Sequence, residues 1–564
     1  MSSEFLFAAG DRFDVEPGAI GGAGVDPPVG VVEWRPRPIG GRLRNCVPVS
    51  EWGVWMSNGW VLPDEVLRDA PAYTPRPGEL ADLELLLTGA YAPLTGFMTR
   101  ADLVSVSRRG RLADGTPWQV AVTLQVPTAL AQGFDPRDPA RRALVLTDGE
   151  GAPAAALDVA DVWQVREGVA GVGGQIRRLG DGGHGPFQRL RRSPEEVRAL
   201  LPPGRVLGVI ADRPLHRPQL AQIAHAARTL AAHLLVMIPV GEGGAGGLPP
   251  EALVRTVFAA RDRMPPATVV AVPLSHRREE ISDALLRARV SAAYGVTHLL
   301  STGEMLSGAG LRVLVPRELA YDNRDGQWRW REDIPPRNRR LALTQQEIDD
   351  LLDRGFPLPE WHTPPAVARE LARARPPRRH RGLVVFLTGL SGSGKSTIAR
   401  GLADALRESG DRTVTLLDGD VVRRELSAGL GFTKADRDLN VRRIGWVAAE
   451  IARHRGVGIC CPIAPYAAAR TTAREMALAA GAGFVLVHVA TPLEVCERRD
   501  RKGLYARARA GLLTGMTGID DPYEEPADAD LVLDTTDLSV ADAVQAVLHH
   551  LTETGWVELK VASA

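Results

Sequence analysis

Residues 383–397 constrain this chain more than any other stretch. A short unbroken apolar run, LVVFL at 383–387, leads into GLSGSGKST at 389–397 and then into an amphipathic helical pattern, IARGLADALRES. An apolar run of this length reads as a parallel strand buried on both faces. The G-x-x-x-x-G-K-[S/T] spacing between a strand and a helix reads as a loop that wraps phosphate. Glycines let successive backbone N–H groups turn inward, and the helix N-terminus adds positive potential. Lys395 is placed to neutralise the β and γ phosphates of a nucleotide, and the Ser396 hydroxyl to ligate Mg²⁺. The expected nucleotide contacts are Gly389, Leu390, Ser391, Gly392, Ser393, Gly394, Lys395, Ser396 and Thr397.

The remainder of the chain divides by pattern. Its 564 residues suffice for several domains. Residues 1–75 are irregular, with Gly/Pro clusters and four tryptophans (Trp34, Trp52, Trp55, Trp60) expected to pin an extension onto a neighbour. From 76 to 205 short strand-like runs, among them 119–126 and 143–147, alternate with turns, which predicts a β-rich domain. From 206 to 330 apolar runs at 206–210, 234–238 and 268–272 alternate with helical patterns, one of them at 217–233. This predicts a parallel α/β sheet. GEGGAGG at 241–247 lacks a strand–turn–helix context and reads as a flexible loop. A small segment, 331–371, precedes ARARPPRRHR at 372–381, whose charge and prolines predict a solvated linker. Residues 382–564 form their own α/β unit. Basic and acidic residues number 68 each, so charge gives no reason to expect nucleic acid or a membrane surface as partner. No apolar run approaches the ~20 residues of a membrane span, and the first residues do not read as a signal peptide. Four cysteines do not make a disulfide framework. A reduced, cytoplasmic protein is expected.

Behind the phosphate loop, a second strand-like run at 414–417 ends in Asp418-Gly-Asp420. Carboxyl ends of parallel strands line the site in such sheets, so Asp420 should face the nucleotide. Arg423, Phe432, Arg437, Asn440, Arg442 and Arg443 follow. Arginines beside an aromatic and an amide suit a planar, anionic acceptor. Together with KGLYARARAG at 502–511 and TGIDDPYEEP at 517–526, the blocks GLSGSGKST, LDGDVVR at 417–423, LGFTKADRDLNVRR at 430–443 and IAPY at 463–466 closely resemble adenosine 5′-phosphosulfate (APS) kinase. The likeness is collinear over roughly 380–555. It implies transfer of the ATP γ-phosphoryl to the 3′-hydroxyl of APS, giving 3′-phospho-APS (PAPS), with Mg²⁺ as cofactor. By matching position, Asp420 would orient or deprotonate the acceptor hydroxyl and, with Ser396, reach the Mg²⁺. Lys395 and Asp420 are the catalytic candidates. Asp420, Arg423, Phe432, Arg437, Asn440, Ile463, Lys502 and Met516 would bind APS, and residues 502–518 resemble a lid closed by Lys502 and Arg509. Two positions depart from the family. Ala464 stands where many members carry a serine linked to a phosphoenzyme, and Met516 where phenylalanine is commoner.

Residues ~76–375 resemble ATP sulfurylase in LELLLTGAYAPLTGFM at 83–98, YGVTHLL at 294–300 and GFPLPEW at 355–361. The resemblance implies a PUA-like β-rich domain and a Rossmann-like nucleotidyltransferase domain, completing an α/β multidomain chain with a C-terminal P-loop kinase. The catalytic blocks differ. The family's Thr-Arg-Asn-Pro-x-His-x-x-His segment falls on ADRPLHRPQ at 211–219. Asp212 takes the Arg position, Arg213 the Asn position and Gln219 the second His. The Gly-Arg-Asp-His-Ala-Gly block falls on TGEMLS at 302–307, and the Arg-Tyr-Ala-Gly-Pro-Arg-Glu segment is replaced around HRRE at 276–279. An aspartate beside a polyphosphate removes charge stabilisation that the reaction needs. His216 and His298 read as ordinary packed histidines. The expectation is an APS kinase, forming a homo-oligomer, fused to a sulfurylase-like domain without activity. The alternatives are a bifunctional PAPS synthase, a non-catalytic nucleotide sensor, and a kinase for another anionic metabolite.

Overall fold

The computed structural model describes residues 64–180, 187–241, 248–277, 279–301, 311–410 and 412–558. All of them belong to one compact unit, Trp60–Ala564. The four N-terminal tryptophans, positions 242–247 of the Gly-rich loop, and 302–307 lie outside the described residues.

The β-rich part is a six-stranded sheet built on the long hairpin Pro153–Arg166/Val169–Arg178. Ala143–Thr147 pairs with the first arm, and Gly96–Phe97 and Leu124–Pro127 with the second. Gly173 is required here, because a Cβ would stand 2.3 Å from the Met98 carbonyl oxygen. Ala72–Tyr73 pairs with Ala143–Thr147, so this sheet begins before residue 76, where the extension was expected to end. The strand expected over 119–126 is also shorter than its pattern. Val120, Val122, Leu124 and Val126 all point inward, but only Leu124–Pro127 has a partner strand. Alternation reports which face is buried; a ladder also needs an opposing backbone.

Next comes a five-stranded parallel sheet in the spatial order Arg312–Leu314, His298–Leu300, Val206–Ile210, His233–Pro239, Ala267–Val272. Arg217–Leu230, Pro250–Ala259 and Glu280–Ala293 supply helices between its strands. A three-stranded antiparallel sheet follows, formed by Leu319–Asp322, Gln327–Trp330 and Arg339–Arg340. It spans the expected boundary at 330, so the small domain starts earlier. Helices Gln345–Arg354 and Pro365–Ala374 complete it.

The kinase part has a five-stranded parallel sheet in the order Val414–Leu417, Val457–Cys460, Leu383–Thr388, Gly483–Val489, Leu531–Leu533. Leu383–Thr388 lies near its middle and is buried throughout. Leu383, Val385 and Leu387 pack towards the helices Lys395–Glu408 and Val540–Glu553. Val384 and Phe386 pack towards Lys434–Arg453 and Ala467–Ala479. Apolar residues on both faces of the strand explain the unbroken run in the sequence.

The 372–381 stretch is not a solvated linker. Its first residues complete the helix Pro365–Ala374, and Arg375, Arg378 and Arg381 converge on the buried carboxylate of Asp353. Burial alone would raise the Asp353 pKa, but hydrogen bonds from Arg375 and Arg381 outweigh it and hold the group at about 2. Arg378 also donates to the Thr554 carbonyl (3.0 Å) and lies over the Trp556 ring. Arg412 donates to the carbonyls of Arg379, Arg381 and Arg455. The kinase is thus fastened to the small domain by arginines. Removing the shared anion leaves three cations packed together. Asp353→Ala should cost about 3 kcal/mol and expose 375–381 to trypsin. An unchanged melting temperature with an unchanged tryptic pattern would contradict this account of the joint.

Candidate functional site

The phosphate loop leaves the end of Leu383–Thr388 and closes on the helix Lys395–Glu408. Gly392 and Gly394 have φ of 78° and 101°, a region costly for side chains with a Cβ. The loop curls around its own lysine. Lys395 is buried, and its Nζ donates to the Leu390 carbonyl (2.6 Å) and the Ser393 hydroxyl (3.4 Å). Burial without an adjoining carboxylate bond pulls its pKa down to about 8. Such an ammonium gains most from an anion brought into the loop.

Ser396 lies beside Asp418, a residue the sequence reading did not assign, although it sits in the same LDGD block. Asp418 caps the helix Gly419–Glu425 by accepting from the Asp420 N–H (3.0 Å). Burial works to raise its pKa, but the Asp420 N–H, Ser396 and Arg400 (3.7 Å) outweigh that and keep it low. Cys461 Sγ is 3.8 Å from the Ser396 hydroxyl and 3.7 Å from the Asp418 carboxylate. Burial raises this thiol to about 11, so it stays protonated. A hydroxyl and an ionised carboxylate are the hard oxygen donors that Mg²⁺ takes. Asp420 points elsewhere: its exposed carboxylate is ion-paired with Lys502. The metal position expected at Ser396 and Asp420 is thus flanked directly by Ser396 and Asp418.

The expected acceptor residues divide into those at the surface and those in the interior. Arg423 lies 4.5 Å over the ring of Phe432, which is 64% exposed, and donates to the Gly431 carbonyl. Burial, and then the charge of Arg437, lower the Arg423 pKa. Arg437 is committed to the protein. It donates to the carbonyls of Phe432 (2.8 Å) and Gly515, to Thr517 and to Asp521 (3.0 Å), tying the end of the 502–518 segment to the helix Lys434–Arg453. Asn440 is buried, and its Oδ1 has no partner among the described residues. The Ile463 carbonyl accepts from Thr388 (2.6 Å). Ala464, with φ of 47°, aims its carbonyl at Arg470 (2.8 Å). Met516 is buried with Cys496 and Tyr505, against Leu390 of the phosphate loop. Arg509 pairs with Glu497 on the surface, away from Lys502's partner. The helix Leu504–Arg509 touches the loop instead through Tyr505, whose hydroxyl donates to the Ser391 carbonyl (2.8 Å).

Two of the altered segments, at Asp212 and at His276–Arg277, are linked through Arg287 and Asp283. Asp212 pairs with Arg287 (2.8 Å), and Arg287 also with Asp283. Asp283 accepts from the Arg277 N–H and lies 3.3 Å from His276. Arg277 pairs with Asp82 (2.5 Å), which also accepts from Tyr91. His216 is buried beside His362, with ring centroids 4.6 Å apart, and both contact the Thr363 hydroxyl. His298 is packed in its strand. Among the described residues, no helix is long and apolar enough to cross a membrane.

Comparison with known proteins accounts for each part. The family model for adenylylsulphate kinase matches 381–534, that for ATP-sulfurylase 188–310, and that for a PUA-like domain 65–170. A sulfate adenylyltransferase of Aspergillus fumigatus is 33% identical across 89% of this chain and 99% of its own length. One from Mycosarcoma maydis is 33% identical across 87% and 98%. The solved structure of a hexameric APS kinase from Thiobacillus denitrificans is 36% identical, with a TM-score of 0.68, and covers 88% of this chain and 95% of that one. Fold and site together define a P-loop kinase region joined to a sulfurylase scaffold. The chain belongs to the family that fuses ATP sulfurylase with adenylylsulphate kinase.

The paired histidines carry a pH dependence. Burial, with a smaller contribution from His362, lowers His216 to about 3, and burial lowers His362 to about 4. Both stay neutral in the fold, while the unfolded chain takes up protons near pH 6.5. Stability should therefore fall as pH drops from about 6.5 towards 4, by up to ~1.4 kcal/mol per pH unit for each histidine. Denaturant midpoints measured across that range should fall more steeply in the native chain than in a His216→Asn/His362→Phe variant. Equal slopes would show that the pair does not carry the effect.

Proposed function

We propose that the C-terminal region transfers the γ-phosphoryl of ATP to the 3′-hydroxyl of APS, and that the sulfurylase-like region does not make APS. The observation that carries the kinase reading is the conjunction of a preformed loop around a buried Lys395, which has no carboxylate hydrogen bond, with a cationic surface at Arg423 and Phe432. Lys395 neutralises the nucleotide phosphates. Ser396 and Asp418 would hold Mg²⁺, which when bound would offset charge on the nucleotide phosphates. Asp420 leaves Lys502 to orient the acceptor hydroxyl and take its proton, and Lys502 turns to the phosphates. The 502–518 segment excludes water that would otherwise accept the phosphoryl. Transfer is direct, since Ala464 offers no hydroxyl.

The ion-pair chain from Asp212 to Tyr91 supports the loss of sulfurylase activity. Arg287 and Arg277 are already neutralised by carboxylates, and Asp212 adds negative charge where a triphosphate would lie. The Thiobacillus protein, which spans both regions, is described as an APS kinase. The fungal relatives, named sulfate adenylyltransferases, favour a second reading in which both activities persist. The hexameric description of the Thiobacillus protein supports self-association, and the buried free thiols suit a reducing, cytoplasmic setting. Lys395→Ala and Asp420→Ala, each soluble and folded, should lower kcat for PAPS formation by at least ~10²-fold. Near-native kcat in either would refute these roles. After incubation with labelled ATP, 457–470 should carry no phosphate, and stable label there would contradict direct transfer.

A further inference from the structure

Of the 68 basic residues in this chain only four are lysine: Lys395, Lys434, Lys502 and Lys560. Arginine serves almost everywhere else. Lys395 fills the phosphate loop and Lys502 meets Asp420. Lys434 has no such assignment, yet it lies two residues from Phe432 and one turn from Arg437. It opens the helix Lys434–Arg453, directly after the cap Thr433. A cation is disfavoured there by the positive end of the helix dipole. The carboxylate of nearby Asp436 already accepts from the Thr433 hydroxyl (2.7 Å). Among the described residues Lys434 makes no ion pair; its Nζ lies 4.8 Å from the centroid of the Tyr466 ring. That ring is fixed from its other end, where the Tyr466 hydroxyl donates to Asp521 (2.9 Å), which also takes Arg437.

Three cations are thus linked in one neighbourhood: Arg423 lies over the exposed Phe432 ring, Arg437 donates to the Phe432 carbonyl and shares Asp521 with Tyr466, and Lys434 rests on the Tyr466 ring; the first already feels the charge of the second. Arg437 is spent on internal acceptors, and Arg423 donates to a carbonyl while stacking on Phe432. Among the described residues Lys434 donates to no acceptor. An ammonium resting on a ring face still presents N–H groups outward, whereas a guanidinium stacked flat directs its fork along the ring plane.

We infer that Lys434 is a specificity-determining residue of the acceptor pocket, donating to the phosphosulfate group of bound APS while the Tyr466 ring holds it in place. This inference rests on the kinase reading above. The test uses the full chain. Lys434→Gln should raise KM for APS about tenfold, the scale of one charge-assisted contact, with kcat and KM for ATP within twofold of native. Lys434→Arg should recover part of the loss. Tyr466→Leu should raise the same KM, and the double variant should be no worse than the weaker single. Acetylation of the native chain with acetic anhydride, read by peptide mass spectrometry, should be slowed at Lys434 by APS and not by ATP alone. A native chain that forms no PAPS overturns the kinase reading itself. A native chain that forms it, with Lys434→Gln leaving KM for APS within twofold or APS leaving Lys434 acetylation unchanged, overturns this inference alone.

Discussion

A buried ammonium with no carboxylate hydrogen bond is the constraint on which the catalytic half depends. Lys395 is held by the Leu390 carbonyl and the Ser393 hydroxyl, neither of which returns the charge stabilisation lost on leaving water. The loop can hold it only because Gly392 and Gly394 turn the chain through positive φ. The loop can start where it does only because Leu383–Thr388 is clamped between two apolar layers. The fold therefore delivers a buried cation that an anion from outside would satisfy. Asp418 and Ser396 bring oxygen donors to its flank, and Tyr505 ties the 502–518 segment back to the same loop.

The two halves of the chain treat charge in opposite ways. In the kinase region, among the described residues, several cations make no ion pair with a carboxylate: Lys395, Arg423 and Lys434 rest on carbonyls, hydroxyls and rings. In the sulfurylase-like region the comparable cations are consumed. Arg287 is shared by Asp212 and Asp283, and Arg277 is taken by Asp82. Preorganised, unpaired donors stabilise developing negative charge; paired donors must first be released. This contrast, more than any single replaced residue, supports the proposed division between a region that transfers a phosphoryl group and a sulfurylase-like region without activity.

Much of this was legible in sequence where the interacting groups are neighbours in the chain. Strand, loop and helix at 383–408 are contiguous, so spacing alone placed Lys395 and Ser396. The parallel sheets were legible because buried strands are apolar throughout. What escaped depends on contacts between distant segments. The arginines of 372–381 read as solvated because their partner, Asp353, belongs to a preceding helix. Residues 119–123 alternate like a strand, yet no strand lies opposite them. Asp418, two residues before the carboxylate chosen from the motif, is told apart from Asp420 only by its helix-capping geometry beside Ser396. Met516 and Arg509 were assigned by aligned position, although Met516 departs from the family residue; packing buries the first, and the second pairs with Glu497 at the surface.

The measurement that bears most directly on this account is a substrate comparison on the intact chain. With Mg²⁺, ATP and labelled sulfate, and pyrophosphatase present to pull the first step, neither APS nor PAPS should accumulate. With labelled APS in place of sulfate, the label should appear in a 3′-phosphorylated product. PAPS formed from sulfate at a rate within ~100-fold of the ~10 s⁻¹ typical of enzymes would contradict the division of labour. It would mean that the Asp212–Arg287 pair opens to admit a nucleotide.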